Sequence, residues 1–210
     1  LKDVKNQRRF KMAKGNELNI DLFDIKYSKI PPKGGRVLIA QPSLNDPFFK
    51  RTVIFLVEHD ENGSMGFILN RKLNINLSEI IIDFPDIDIE VSVGGPVSPD
   101  MVNFIHTFGD EIPNSFPLGN GIFMNGDINT LKDLAIAGKV NNKNLKLFIG
   151  YSGWGPKQLE KEINEDSWLV AKFPARGIMK GVYDNWYFAV QQLGKKFKVW
   201  SIYPENPTLN

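Results

Sequence analysis

Two apolar runs, residues 52–57 and 65–69, flank the polar tetrad Asp60-Glu61-Asn62-Gly63. An Asn-Gly pair between hydrophobic runs is a strong hairpin signal, because both residues tolerate the positive φ that a tight two-strand turn needs. The first run, Val53-Ile54-Phe55-Leu56-Val57, is unbroken. A strand of that kind suits a position covered on both faces. The pattern therefore predicts a hairpin at the middle of a sheet, with polar residues collected at its open end.

The flanking segments read in turn. Pro31-Pro32-Lys33-Gly34-Gly35 breaks the pattern, residues 37–40 form a first strand, and residues 41–47 make a loop with two prolines. Asn76-Leu77-Ser78-Glu79 matches a capping box and predicts a short helix over residues 77–84. Ile87, Ile89, Val91 and Val93 alternate with Asp88, Glu90 and Ser92, the period of a half-buried strand, and Gly94-Gly95-Pro96 ends it. A strand over 102–107 and a Pro/Gly/Asn-rich loop over 108–121 lead to a short strand at 122–124. Asp127 is placed to cap a helix over 128–137, with Gly138 as its stop. Residues 145–149 form a strand entering a loop, Gly150-Tyr151-Ser152-Gly153-Trp154-Gly155. Pro156 opens a helix whose buried side carries Leu159 and Ile163. Residues 168–171 are extended, Asp184 caps a helix over 185–193, and residues 197–203 alternate as a last strand. Hairpins are frequent and strands do not alternate regularly with helices, so the class is α+β and not a doubly wound sheet.

A chain of 210 residues suits one large domain. The division expected is a leader over 1–32, disordered or holding a short helix near 18–25, a single domain over 33–203 and a tail over 204–210. No apolar run reaches the roughly 18–20 residues of a membrane span, and no apolar stretch of a secretory signal follows the N-terminal charges. No membrane partner is expected. The absence of cysteine removes disulfide and thiol chemistry and fits a cytoplasmic protein. Net charge is +2, but six Lys/Arg against Asp3 give residues 1–15 a balance of +5, leaving −3 for the remainder. Nucleic acid is therefore expected to engage the chain only through residues 1–15.

Two scattered histidines and no cysteine make no zinc site, and no metal or cofactor is expected. Hairpin pairing puts His59 beside the turn and Arg71 near the open end, roughly 15–25 Å apart at ~3.3 Å per residue. The two should not share a site. The open end is richer: Asp46, Lys50 and Arg51 precede the first strand, and Asn70, Arg71 and Lys72 follow the second. Arg51 and Arg71 beside a carboxylate could clamp an anionic ligand through paired hydrogen bonds. Alternatively, Asp46 pairs with one of these arginines and pins the loop. Gly150-Tyr151-Ser152-Gly153-Trp154 is not a nucleophile elbow, since Trp154 stands where glycine is required and no histidine follows Ser152. Gly94-Gly95-Pro96-Val97 lacks the lysine of a phosphate loop, although its amides could form an anion nest. The candidate ligand-binding residues are Asp46, Arg51, Asn70, Arg71, Gly94, Gly95, His106 and Trp154, with no catalytic residue assigned. These point to a non-catalytic protein acting through a small anionic ligand or a protein partner. The alternative is an enzyme holding an anionic substrate with Arg51 and Arg71, and using Asp46 or His106 as acid or base.

Several blocks together resemble the AlgH/YqgE family. They are Leu38-Ile39-Ala40, Pro42, Asp46-Pro47-Phe48-Phe49, Glu58-His59-Asp60, Gly63-Ser64-Met65-Gly66 and Leu69-Asn70-Arg71. Further along come Val93-Gly94-Gly95-Pro96-Val97, Ile105-His106, Gly150-Tyr151-Ser152-Gly153-Trp154, Gln158-Leu159-Glu160, Glu162 and Ser167-Trp168-Leu169. They run in order over roughly residues 35–193. The resemblance implies an α+β protein with a partly closed, branched mixed sheet and packed helices. It also implies a largely uncharacterised protein, labelled a transcriptional regulator through association with alginate control and not through a DNA-reading motif. Two departures stand out. Many members end in a Gly-His-Ala segment that this chain lacks, and many carry alanine where Ser152 stands.

Overall fold

The computed structural model describes residues 29–203 and two short strands, β1 (Phe10–Lys11) and β2 (Glu17–Leu18), which pair with each other. Both strands fall within the leader expected over 1–32, and Leu18 lies at the start of the helix suggested near 18–25. The rest of the expected helix near 18–25, and the tail over 204–210, lie outside the described residues.

The remaining strands are β3 (Val37–Ala40), β4 (Val53–Asp60), β5 (Gly63–Ile68), β6 (Lys72–Leu73), β7 (Val91–Val93), β8 (Val97–His106), β9 (Phe116–Gly119), β10 (Ile122–Met124), β11 (Leu145–Trp154) and β12 (Trp168–Ala171). They form one ten-stranded sheet in the order β12-β3-β4-β5-β11-β8-β10-β9, with β7 and then β6 branching from β11. The pairings are antiparallel except β7 with β11. The helices are α1 (Ile128–Ile136), α2 (Gln158–Asn164), α3 (Ala175–Met179), α4 (Trp186–Gln192) and α5 (Lys198–Ser201). The architecture is α+β, and the sheet branches without closing into a barrel.

The hairpin β4–β5 is central, as its apolar run requires. Val53, Phe55 and Val57 pack on the side of Trp186, Val190 and Trp200, while Ile54 and Leu56 pack with Trp154, Leu159 and Trp168 on the other. The turn differs by one residue from the Asn62-Gly63 expectation. Asp60 pairs with Gly63, so Glu61 and Asn62 form the loop. Asp60 Oδ1 accepts the Asn62 amide at 2.7 Å and closes the turn itself. Gly63, at φ 141°, instead makes room for β11, because a Cβ there would lie 2.3 Å from the Trp154 carbonyl oxygen.

The largest departure is β11. The segment 150–154, expected as a loop, continues the strand. Gly150 at φ +66° bends it, and its two halves serve different neighbours. Leu145–Ile149 lies between β7 and β8, whereas Ser152, Gly153 and Trp154 pair with Gly66, Met65 and Ser64 of β5. The bend is gripped from outside. A Cβ on Gly94 would meet the Gly150 carbonyl oxygen at 2.2 Å, and one on Gly95 would meet the Tyr151 carbonyl carbon at 2.1 Å.

Other expectations shift for local reasons. The capping box at Asn76 forms, with Glu79 Oε1 accepting the Asn76 amide at 2.7 Å, but only a 3-10 turn over Leu77–Glu79 follows. The next isoleucines, Ile80 and Ile81, are poor helix formers and pack against a core beneath α1. The strand expected over 87–93 shortens to Val91–Val93, while β8 begins five residues earlier than expected, at Val97. β9 lies within the expected loop over 108–121. Asn185, not Asp184, caps α4, accepting the Phe188 amide at 3.0 Å. Asp184 instead meets Lys146 of β11 at 2.7 Å in a buried pair. Residues 197–203 are a 3-10 turn and α5, not a strand. Phe197, Trp200 and Tyr203 are buried at a spacing of three, a helical repeat that the apparent alternation conceals.

Gly95→Ala should cost several kcal/mol, because the colliding atoms are backbone and cannot rotate aside. Gly119→Ala is the control, since nothing lies within 4 Å of a Cβ there and only its φ of +88° resists, at about 1 kcal/mol. Urea midpoints of the two variants check the difference; similar midpoints would mean that the bend yields easily.

Candidate functional site

At the open end of the hairpin the sequence-nominated residues do come together, and they do so by holding backbone. Asp46 Oδ1 accepts the amides of Phe48 and Phe49 at 2.8 and 2.9 Å, turning the chain ahead of β4. Asn70 Oδ1 accepts the Val53 amide, and its Nδ2 donates to the Arg51 carbonyl, both at 2.8 Å. Arg71 Nη2 donates to the Lys50 carbonyl at 2.7 Å. Arg51, at φ 53°, is buried: its guanidinium lies 4.7 Å from the Trp186 ring centre and donates to the Tyr203 carbonyl at 2.5 Å. Asp46 therefore holds the loop through backbone amides, where the sequence suggested an arginine partner.

The turn set by Asp46 delivers Phe49 to an aromatic cluster. Phe49 stacks on Trp154 at 6.2 Å and meets Trp168 edge-on at 5.7 Å. Glu162 of α2 ties the two indoles together: its Oε2 accepts Trp154 Nε1 at 2.9 Å and Trp168 Nε1 at 2.8 Å. Gln158 Nε2 donates to the other carboxylate oxygen at 2.9 Å. Sequence reasoning quoted Glu162 only within a motif; its spacing from the two tryptophans is the signal that points to this role.

His106 lies elsewhere, on β8. It is fully buried among Phe104, Phe108 and Phe123. Its Nε2 lies 3.0 Å from the Asn125 carbonyl oxygen, which can only accept, while Nδ1 takes the Phe108 amide at 3.3 Å. These partners specify the neutral ring with the proton on Nε2. Burial pushes the His106 pKa below its ordinary value, outweighing the Asn125 carbonyl, which raises it. Ser152 is also fully buried, and its hydroxyl donates to the Gly94 carbonyl at 3.0 Å. The Gly94 amide is engaged as well, donating to the Ile149 carbonyl at 2.8 Å.

The open concavity lies at the other end of the hairpin. A cleft of about 440 Å³ runs between the β4–β5 turn and the second half of β11, with Glu58, Asp60, Ser64, Met65, Tyr151 and Trp154 among its walls. Of the nominated residues only Trp154 lines it. Two carboxylates line it, and no lysine or arginine does. Glu58 is exposed, and beside the cleft His59 Nδ1 contacts Ser64 Oγ at 2.7 Å while Nε2 lies 4.0 Å from Glu160. Sequence reasoning reached the hairpin but overlooked this end, because only the unexpected pairing of residues 152–154 with β5 builds the second wall. Among the described residues no group of three or more His, Cys, Asp or Glu could hold a metal ion, and no helix is long and apolar enough to cross a membrane.

The partners of His106 and Arg71 set two expectations. The neutral His106 is favoured by the fold, so its contribution to stability is complete above the unfolded value near 6.5 and is lost as pH falls through the lower folded value. Urea midpoints should therefore drop as pH falls from about 6.5 towards the folded value and level off below it, and His106→Gln should flatten this part of the profile; an unchanged slope would assign it to other groups. Arg71→Ala should lower stability by about 1–2 kcal/mol through loss of the Lys50 carbonyl bond. A wild-type melting midpoint in that variant would contradict its pinning role.

Residues 37–198 match the AlgH-like family. A UPF0301 protein of Bacteroides thetaiotaomicron is 37% identical over 195 residues, covering 92% of this chain and 99% of that one. One from Chlorobium limicola is 39% identical over 186 residues, covering 88% and 98%. The solution structure of the AlgH protein from Pseudomonas aeruginosa superimposes with a TM-score of 0.64 at 27% identity, over 84% of this chain and 97% of that one. A crystal structure of a Corynebacterium diphtheriae protein gives 0.68 at 23% identity, over 83% and 94%, and supports the fold alone. The chain belongs to the AlgH-like family.

Proposed function

We propose that this is a non-catalytic binding protein that engages a protein partner through the cleft at the closed end of the β4–β5 hairpin. The observation that carries this reading is the cleft itself: an open cavity with carboxylates and aromatic rings and no cationic wall residue. A cationic segment suits it, because carboxylates supply charge and an aromatic face attracts ammonium and guanidinium groups. Two groups that chemistry could use are engaged in the frame. Ser152 Oγ is bound to a carbonyl, and His106 is buried, neutral and hydrogen-bonded through both nitrogens. An anionic ligand at Arg51 and Arg71 finds less support, since both guanidinium groups bind backbone carbonyls. A regulatory role for the chain would, on this reading, run through the protein partner.

Titration of the isotope-labelled chain with a short oligolysine peptide at low salt tests the reading. The amides of Glu58, Asp60 and Met65 and the Trp154 indole should shift, Glu58→Lys with Asp60→Lys should abolish the shifts, and millimolar phosphate should produce none at the hairpin's open end. Phosphate shifts at Arg51 and Arg71 with a silent cleft would favour the anion site and overturn this one.

A further inference from the structure

We infer that the helical layer over residues 172–203 is a docking surface for an anionic lipid bilayer, which it meets by lying on the headgroups and not by spanning them. The inference is independent of the cleft. It concerns the face of the hairpin opposite to the one that α2 covers.

Charge is the first ground. Lys172, Arg176, Lys180, Lys195, Lys196 and Lys198 are all exposed. The one carboxylate between residues 172 and 203 is that of Asp184, which is buried against Lys146 at 2.7 Å. Among the described residues, Lys172, Arg176, Lys180, Lys195 and Lys198 form no ion pair. Residues 29–171 have the reverse balance, thirteen Lys/Arg against eighteen Asp/Glu. An anionic surface therefore attracts this layer and repels the rest of the body, which sets the orientation of approach.

The second ground is apolar exposure on the same layer. α3, α4, the 3-10 turn Lys195–Phe197 and α5 bury Ile178, Met179, Trp186, Val190, Phe197 and Trp200 in one core, so what they expose lies on the layer's outer side. Val182 and Phe188 are each 40% exposed, and Ile202 is 64% exposed. Lys198 and Ile202 stand one turn apart on the same side of α5. Cations beside exposed apolar side chains are what adsorption to a bilayer needs: the charges stay among the headgroups while the apolar groups enter the boundary with the acyl chains.

These side chains also separate a bilayer from a nucleic acid. Five of the six cations are lysine, a point charge suited to a diffuse field, whereas recognition of individual phosphates favours the arginine fork. Val182 and Ile202 are aliphatic and offer a base no ring to stack on. The lack of a long apolar run argues only against a spanning helix, and a surface contact needs none.

Cosedimentation of the full chain with vesicles tests the inference. Vesicles of phosphatidylcholine containing phosphatidylglycerol should retain the protein at low salt, and phosphatidylcholine alone should not. A basic residue near such a surface strengthens binding about fivefold, so Lys195→Gln with Lys198→Gln should weaken it at least about tenfold. Equal retention by the two kinds of vesicle overturns the inference. So does retention that survives this double change and is lost with Lys2→Gln, Lys5→Gln, Arg8→Gln and Arg9→Gln, which would assign it to the N-terminal charges. Because the chain has no cysteine, Ile202→Cys and Ile136→Cys each accept a single nitroxide. On the vesicles, the label at position 202 should lose contact with an aqueous nickel complex and gain contact with oxygen. The label at position 136, on the exposed side of α1, should stay in water. Immersion of both labels alike, or of neither, contradicts the proposed orientation and overturns it. Binding of a single-stranded RNA oligomer that the lysine double change abolishes, with anionic vesicles unbound, would give this face to nucleic acid and overturn it as well.

Discussion

One carbonyl oxygen and three glycines hold the two halves of the sheet together. The Gly94 carbonyl accepts the Ile68 amide at 3.0 Å and the Ser152 hydroxyl at 3.0 Å, while the Gly94 amide reaches the Ile149 carbonyl. β5 and both halves of β11 thus meet at one residue just beyond β7. The meeting is possible only because Gly94, Gly95 and Gly150 carry no Cβ; each would bring that atom within 2.6 Å of facing backbone. Bent at Gly150, β11 pairs with β7 and β8 through its first half and with β5 through its second. The cleft at the hairpin turn is a consequence of that bend, because the second half of the strand forms its far wall.

The helices and loops are pinned to this sheet by polar groups aimed at backbone. Asp46, Asn70 and Arg71 fix the chain entering β4, and Thr52 joins them through its hydroxyl bond to the Phe49 carbonyl at 2.8 Å. Glu162 fixes α2 by accepting two indole N–H groups on one oxygen. His106 fixes the 108–125 excursion by bonding at both ring nitrogens. A buried polar group without such partners would cost about 1–3 kcal/mol, which explains why these side chains are tied so fully.

Much of the fold was legible because it rests on local patterns. The central hairpin, β3, β10, α1 and β12 follow from unbroken apolar runs, a sheet period or a cap. What was not legible depended on long-range pairing. Gly150-Tyr151-Ser152-Gly153-Trp154 reads as a loop by composition, and only β5, some ninety residues earlier, makes it a strand. Residues 197–203 carry large apolar residues at both two- and three-residue spacings, and packing of Phe197 and Trp200 against the core selects the helical one. The work done by the residues at the hairpin's open end was hidden for a related reason. Sequence can show that Arg51, Asn70 and Arg71 come together, but not that their donors are taken up by the carbonyls of Lys50, Arg51 and Tyr203.

The residues that carry the family resemblance therefore divide into two groups. Asp46, Asn70, Arg71, Gly94, Gly95, His106, Ser152 and Glu162 each hold part of the frame. Glu58 holds nothing in place. Its side chain is exposed, and among the described residues that side chain makes no hydrogen bond or ion pair. It sits in the same short block as His59 and Asp60, at the mouth of the cleft. Its place beside the cavity is the reason the proposed binding role is assigned to this end of the hairpin. The arginines at the hairpin's open end bind backbone carbonyls, whereas Glu58 near its turn faces the cleft.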